Sequence, residues 1–251
     1  MPPRARPCER GDVGDPLNEL AELMAPGIAE CRGRQLPYIL AITGSVAVGK
    51  STTALLLRDA IRANDDALRV EVVSSDGFLL PNRDIDARGL TMRKGFPETY
   101  DRAALLAFLQ QIKSGAPDVQ VPLYSHETYD VLDEHDVLGP DDVVILEGLH
   151  LVALSDAIDF SVYIDADEAD IEQWFVERFF HLRTSNAFYR QFAGLSDDAA
   201  AAFARDVWSS INGVNLRENI LPSRDHADAV LEKDHDHTVR RLVVKHGNMR
   251  T

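Results

Sequence analysis

The 251-residue sequence predicts an α/β fold, a mainly parallel β-sheet with helices on both faces in three α/β/α layers. Three observations predict it. Short apolar runs at residues 38–43, 143–146 and 160–165 have the near-continuous hydrophobicity of strands buried on both faces. Stretches of helical spacing separate such runs, and the right-handed crossovers they imply lay helices over the sheet. Strand ends lead into polar or glycine-containing loops at residues 44–51, 75–78 and 147–148, where parallel sheets gather their ligands. The length suits one domain. Residues 1–16, with four prolines among charged and small residues, read as a loose or disordered tail, and residues 17–251 as the single domain.

Taken in order, Leu17, Leu20, Leu23 and Met24 share one side of a short amphipathic helix over residues 17–28. The first buried strand, residues 38–43, runs into Gly44-Ser45-Val46-Ala47-Val48-Gly49-Lys50-Ser51, and a helix over residues 52–58 follows. The spacing G-x-x-x-x-G-K-S between a strand and a helix is that of a P-loop, so the sheet is of the P-loop NTPase type. Its chemistry explains its spacing. Gly44 and Gly49 let the backbone close around a β-phosphate, toward which successive N–H groups and the helix N-terminus point. Lys50 adds a point charge for the β- and γ-phosphates, and the Ser51 hydroxyl is a ligand for Mg²⁺. ATP and Mg²⁺ are the expected cofactors, bound by residues 44–51 and Thr52.

A second strand over residues 69–74 ends at Ser75-Asp76-Gly77-Phe78, and residues 81–97 read as a charged loop. Leu105, Leu106, Phe108, Leu109 and Ile112 mark a helix over residues 102–113 that stops at Gly115. The strand at residues 143–146 ends in Glu147-Gly148, and that at 160–165 precedes a helix over 168–183. Ser51, Asp76 and Glu147 therefore fall at or just beyond strand ends and should converge on one cleft.

A hydroxyl acceptor attacking a γ-phosphate needs a carboxylate to orient it and take its proton. Asp76 has the position for that role, although an aspartate before glycine also suits a turn cap. Glu147 ends an apolar strand, where a carboxylate is costly unless a metal or hydrogen bond meets it. It reads as a Mg²⁺ ligand or a holder of metal-bound water, or else as a capping or ion-paired glutamate. Tyr124, His126 and Tyr129 cluster after a proline, either lining a small polar pocket or serving packing.

The 41 acidic and 26 basic residues give a net charge of −15, which argues against nucleic acid and against an anionic membrane surface. An acidic protein that binds a polyanion must concentrate cations locally, which marks Lys50, Arg93, Lys94, Arg178 and Arg183. Cys8 and Cys31 have no C-x-x-C spacing, which argues against a disulfide, a zinc site or thiol catalysis. No run approaches the roughly 20 apolar residues of a membrane span, and residues 1–10 lack the apolar core of a signal peptide. A reducing cytoplasm is the expected location.

The phosphate loop, Ser75-Asp76-Gly77-Phe78-Leu79-Leu80-Pro81-Asn82, Arg93 to Asp101, Tyr124 to Asp130, Ile145 to Leu149, Asp159 to Ala166 and Trp208 to Arg224 occur in one order. Together they resemble bacterial type I pantothenate kinase, of the phosphoribulokinase/uridine kinase superfamily, from about residue 37 to 244. The resemblance implies that Lys50 and Ser51 handle phosphates and Mg²⁺, and that Asp76 is the catalytic carboxylate. It places Tyr124, His126, Tyr129 and Asn212 around pantothenate, and Lys233 and His237 by the adenine. It also implies a homodimer and feedback by coenzyme A. The chain departs from the pattern in a shorter segment before the phosphate loop, in Phe188 and Gln191, read here as replacing a tyrosine and an arginine of the acceptor pocket, and in His150, where asparagine is more usual. A kinase of another small hydroxylated metabolite, or a nucleotide-binding regulator without turnover, are the alternatives. A retained Asp76 beside Lys50 argues against the regulator.

Overall fold

The computed structural model describes residues 15–245. In chain order the strands are β1 (Tyr38–Gly44), β2 (Val70–Ser74), β3 (Val119–Ser125), β4 (Asp130–Leu138), β5 (Val143–Gly148), β6 (Phe160–Asp165), β7 (Ala229–Lys233) and β8 (Val239–Val244). The main sheet has the order β2-β5-β1-β6-β7-β8, parallel except for the edge strand β8. β1 and β5 are buried at every position, which is why their sequences run apolar without alternation. The antiparallel hairpin of β3 and β4 forms a separate two-stranded sheet.

The helices are α1 (Pro16–Gly33), α2 (Lys50–Asn64), α3 (Asn82–Ala87), α4 (Arg102–Lys113), α5 (Glu168–Ser185), α6 (Asp197–Val207) and the short α7 (Gly213–Asn215). Alternate residues of β1 point to opposite faces. Leu40 and Ile42 join the core under α1, α2 and α5, while Ile39 and Ala41 join the core under α4 and the hairpin. The three-layer α/β/α architecture follows from that alternation. α2 buries Thr53, Ala54, Leu57 and Ile61, one stripe at helical spacing. α4 does the same with Leu105, Phe108, Leu109 and Ile112, and the Asp101 side chain caps it by accepting from Ala104 N–H.

Several boundaries differ from the sequence reading. Residues 1–14 of the expected tail lie outside the described residues. Asp15 and Pro16 belong to α1, the first as its cap and the second at a position where a missing N–H costs nothing. Residues 81–97 contain α3 and short 3₁₀ turns instead of irregular loop. The hairpin, β7 and β8 have no counterpart among the strands read from the sequence. Between α6 and α7, and again after α7, the chain makes π turns at Trp208–Asn212 and Leu216–Ile220.

Candidate active site

The phosphate loop leaves β1 with three residues in the left-handed region or near it: Gly44, Ala47 (φ +64°) and Gly49 (φ +88°). For Ala47 that conformation costs on the order of 1 kcal/mol, a strain typical of ligand-binding turns. Gly49 sits at the N-cap of α2, and no side chain among the described residues caps it. The first N–H groups of α2 are thus left for an anion. A β-carbon at residue 49 would also lie 2.8 Å from Lys233 Nζ, which passes close behind and donates to the Val48 carbonyl at 3.0 Å.

Lys50 Nζ donates to the Ser45 carbonyl at 2.9 Å. Burial pushes its pKa down, the Glu147 and Asp76 carboxylates oppose that shift, and Arg178 adds to it. Lys50 on α2 is thus within electrostatic reach of charges carried by three other elements: Glu147 at the end of β5, Asp76 after β2 and Arg178 on α5. Ser51 Oγ donates to Glu147 Oε1 at 3.1 Å, and Glu147 is 7 % exposed. This hydroxyl and carboxylate are hard oxygen donors side by side, and Mg²⁺ needs few protein ligands because phosphates and waters complete its octahedron. The pair fits that ion.

Asp76 stands on a 3₁₀ turn, Ser75–Phe78, directly after β2. Its N–H donates to Ser74 Oγ at 3.3 Å, and the Tyr100 hydroxyl donates to Asp76 Oδ1 at 3.4 Å. Burial and the Asp76 charge hold the Tyr100 phenol protonated, with its pKa well above the usual value. The hairpin presses on this turn, since a β-carbon on Gly77 would overlap the Pro122 carbonyl.

The hairpin brings the aromatic cluster. The Tyr124 ring lies edge-on to His126 at 5.1 Å and to Tyr129 at 6.2 Å, and Tyr129 stacks on Phe188 at 4.6 Å and 16°. Lys94 Nζ sits 4.4 Å from the Tyr129 ring centre and 5.1 Å from that of Tyr124. It donates to Asn82 Oδ1 and the Tyr129 carbonyl, and Asn82 Nδ2 donates to that same carbonyl at 2.9 Å. Burial lowers the Lys94 pKa, while Asp130 and Asp76 oppose the shift. A cavity of about 320 Å³ opens between β2 and the hairpin, with Gly77, Tyr124 and His126 in its wall.

The remaining expected residues are placed as follows. Asn212 lies half-buried in the first π turn, and Asn215, buried, donates to the Gly95 carbonyl at 2.8 Å. Lys233 lies under the phosphate loop, its pKa lowered by burial. His237 stacks on Trp174 at 4.1 Å and 26° at the β7–β8 turn. His126 is exposed, and its carbonyl accepts from Asn186 Nδ2 at 2.8 Å. Gln191 is exposed and turned onto the Phe188 carbonyl at 3.0 Å.

Of the cations marked in the sequence, Lys50 and Lys94 lie at the site and Arg178 is within electrostatic reach of Lys50. Arg93 pairs with Glu98, and Arg183 with Asp197 at 2.7 Å. Asn82, Tyr100 and Tyr189 are neighbours of the site that spacing did not single out. Asn82 accepts from Lys94 and Tyr100 ends the 93–100 segment, so the marked Lys94 was the available signal.

The phosphoribulokinase/uridine kinase family model matches residues 39–178, which span β1 to the middle of α5. A pantothenate kinase of Rhodococcus erythropolis is 46 % identical over 221 residues, covering 83 % of this chain and 71 % of the relative. One from Clavibacter sepedonicus is 43 % identical over 259 residues, covering 93 % of this chain and 81 % of its own. Among solved structures, one from Silicibacter sp. TM1040, titled as a fructose transport system kinase, superposes with a TM-score of 0.65 at 28 % identity over 84 % of this chain and 94 % of that one. With the phosphate loop, the Ser51–Glu147 hydrogen bond and these relatives together, the chain belongs to the phosphoribulokinase/uridine kinase family and, within it, to the bacterial type I pantothenate kinases.

Proposed function

We propose that this kinase transfers the γ-phosphoryl group of ATP to the primary hydroxyl of pantothenate, giving 4′-phosphopantothenate, the first step toward coenzyme A. The observation that carries the reading is the position of Asp76. It lies within electrostatic reach of Lys50 on the phosphate side and of Tyr124, Tyr129 and Lys94 on the acceptor side.

Bound Mg²⁺ would neutralise phosphate charge and orient the γ-group, with Ser51 and Glu147 as the residues to hold it. Residues 44–52 bind the phosphates through backbone N–H groups, and Lys50, Lys94 and Arg178 offset negative charge as it develops. Asp76 orients the acceptor hydroxyl and accepts its proton. Tyr124, His126, Tyr129, Phe188 and Asn212 enclose the acceptor, and Lys233 and His237 border the nucleotide. The stack of Tyr129 on Phe188 and the half-buried Lys94 give the pocket an apolar wall with one fixed cation, which suits a small carboxylate with an aliphatic body.

The same reading carries a homodimer, feedback by coenzyme A, a single kinase domain over residues 17–251 and a cytoplasmic location. No helix among the described residues is long and apolar enough to cross a membrane.

ADP release with ATP, Mg²⁺ and a panel of hydroxylated metabolites tests the function. Pantothenate should be turned over best, and Asp76→Asn should keep ATP binding while losing on the order of 10²–10⁴ in turnover. A preference for another acceptor would overturn the substrate, and near-normal turnover by Asp76→Asn would remove that residue from the chemistry.

A further inference from the structure

Three segments far apart in sequence meet at one carbonyl, that of Gly95. His150 Nε2 lies 2.8 Å from it, and Asn215 Nδ2 donates to it, also at 2.8 Å. His150 follows β5 by two residues, and the carbonyl of its neighbour Leu149 accepts from Thr43 Oγ1 at 2.8 Å. The imidazole is thereby tied to the end of β1, just where the phosphate loop begins. Gly95 directly follows Lys94, and its own N–H donates to Thr99 Oγ1 at 3.0 Å. The His150 ring also meets Tyr100 edge-on at 5.7 Å, and the Tyr100 hydroxyl reaches Asp76.

The ring's protonation follows from its surroundings. Burial and the Lys50 ammonium on α2 oppose a positive charge, which Glu98 and the Gly95 carbonyl favour, and the net result is a lowered pKa. The ring is neutral and carries one proton. A lone pair on Nε2 would face the lone pairs of the Gly95 oxygen, so that proton is on Nε2. Nδ1 is then a bare acceptor, buried and without a hydrogen-bond partner among the described residues. A buried nitrogen left unpaired is a cost accepted for the bond its partner nitrogen makes.

We propose that His150 is a positioning residue of the acceptor site. By donating from Nε2 to Gly95 it holds the 93–100 segment, and with it Lys94 and Tyr100, in register with the phosphate loop. Asn215 occupies the other lone pair of the same oxygen, so loss of His150 should loosen the segment without releasing it.

Two arms test this. The kinetic arm rests on the pantothenate kinase reading; the exchange arm does not. His150→Ala should raise the acceptor KM by about 10-fold, the loss of one part-buried hydrogen bond, and lower kcat by a smaller factor as Lys94 and Tyr100 shift, with the ATP KM within about 2-fold of wild type. His150→Gln, whose amide N–H reaches as far as Nε2, should restore the acceptor KM. Hydrogen exchange on the folded protein should speed up at residues 95–100 in His150→Ala, return in His150→Gln, and stay unchanged in β1. Unaltered exchange in the alanine variant, or a glutamine variant no better than alanine, would overturn the proposal. An acceptor KM that rises only together with the ATP KM would assign His150 to general packing instead. If wild type fails on pantothenate while the exchange pattern holds, the substrate reading falls and the positioning role stands.

Discussion

A carboxylate 7 % exposed at the end of an otherwise apolar strand needs a cation, and Glu147 has Lys50 and the Ser51 hydroxyl close by. Glu147→Gln keeps the shape and the hydrogen bond to Ser51 while removing the charge. The Mg²⁺ concentration for half-maximal turnover should rise at least about 10-fold, because one of the few charged oxygens available to the ion is gone. A Mg²⁺ titration that superposes on wild type would exclude Glu147 as a holder of the ion. His150 gives a second expectation, on stability. Its folded pKa lies below the ordinary 6.5, so the unfolded chain binds the proton more readily. The neutral ring's contribution is full above pH 6.5 and is lost as pH falls from there toward the depressed folded value. Denaturant melts of wild type and His150→Gln between pH 7.5 and 5 should therefore converge or cross on the acid side, and parallel curves would contradict the assignment. At this scale the sequence was most legible where chemistry imposes spacing. Lys50, Ser51, Asp76 and Glu147 follow from strand ends and the phosphate-loop pattern. Arg178 was marked only as one of five cations, and what sets it apart, its electrostatic reach to Lys50, comes from the way α5 is placed. Phe188 and Gln191 were read as a linked change in the acceptor pocket. In the structure the Phe188 ring stacks on Tyr129, while the exposed Gln191 amide donates to the Phe188 carbonyl.

The β3–β4 hairpin carries Tyr124, His126 and Tyr129, proposed here to line the acceptor, and besides its packing against α4 it touches the Asp76 turn closely at one point. Gly77→Ala would drive a methyl group into the Pro122 carbonyl, and the hairpin carrying Tyr124 and His126 would have to retreat. The acceptor KM should rise by at least about 10-fold and stability fall by about 1–3 kcal/mol, the usual range for overpacking, with the ATP KM little changed. Equal effects on both substrates would show that the turn at Asp76, not the hairpin, had moved. The hairpin escaped sequence reading because its strands lack a clean period of two. β4 exposes most of its length, β3 contains Pro122, and the register shifts between Pro122 and Tyr124. β1, β5 and β6 were legible, since burial on both faces writes itself as uninterrupted apolar residues. β7 was hidden by ending on a buried lysine, and the π turns after α6 by a period that is not 3.6.

Over the whole molecule the charge is −15, while Lys50, Lys94, Arg178 and Lys233 gather at the phosphate loop and acceptor pocket. Self-repulsion of the remaining surface should be felt most at low ionic strength, where the Debye length is about 30 Å at 0.01 M. Raising NaCl from 10 to 150 mM should lift Tm by about 2–4 °C, the shift that roughly 1 kcal/mol gives a chain of this size. A lower Tm would mean that surface ion pairs outweigh the net field. The central strand has a different consequence, one of timing. β1 pairs with β5 and β6, never with β2, so Tyr38 waits for Val143, more than a hundred residues further along, before either of its edges is hydrogen-bonded. A ribosome adding about 5–20 residues per second needs several seconds to deliver that partner. Through that interval the segment that will cradle phosphate is a bare, aggregation-prone strand, and the emerging polypeptide cannot gain stability from nucleotide until β5 and β6 have closed over it.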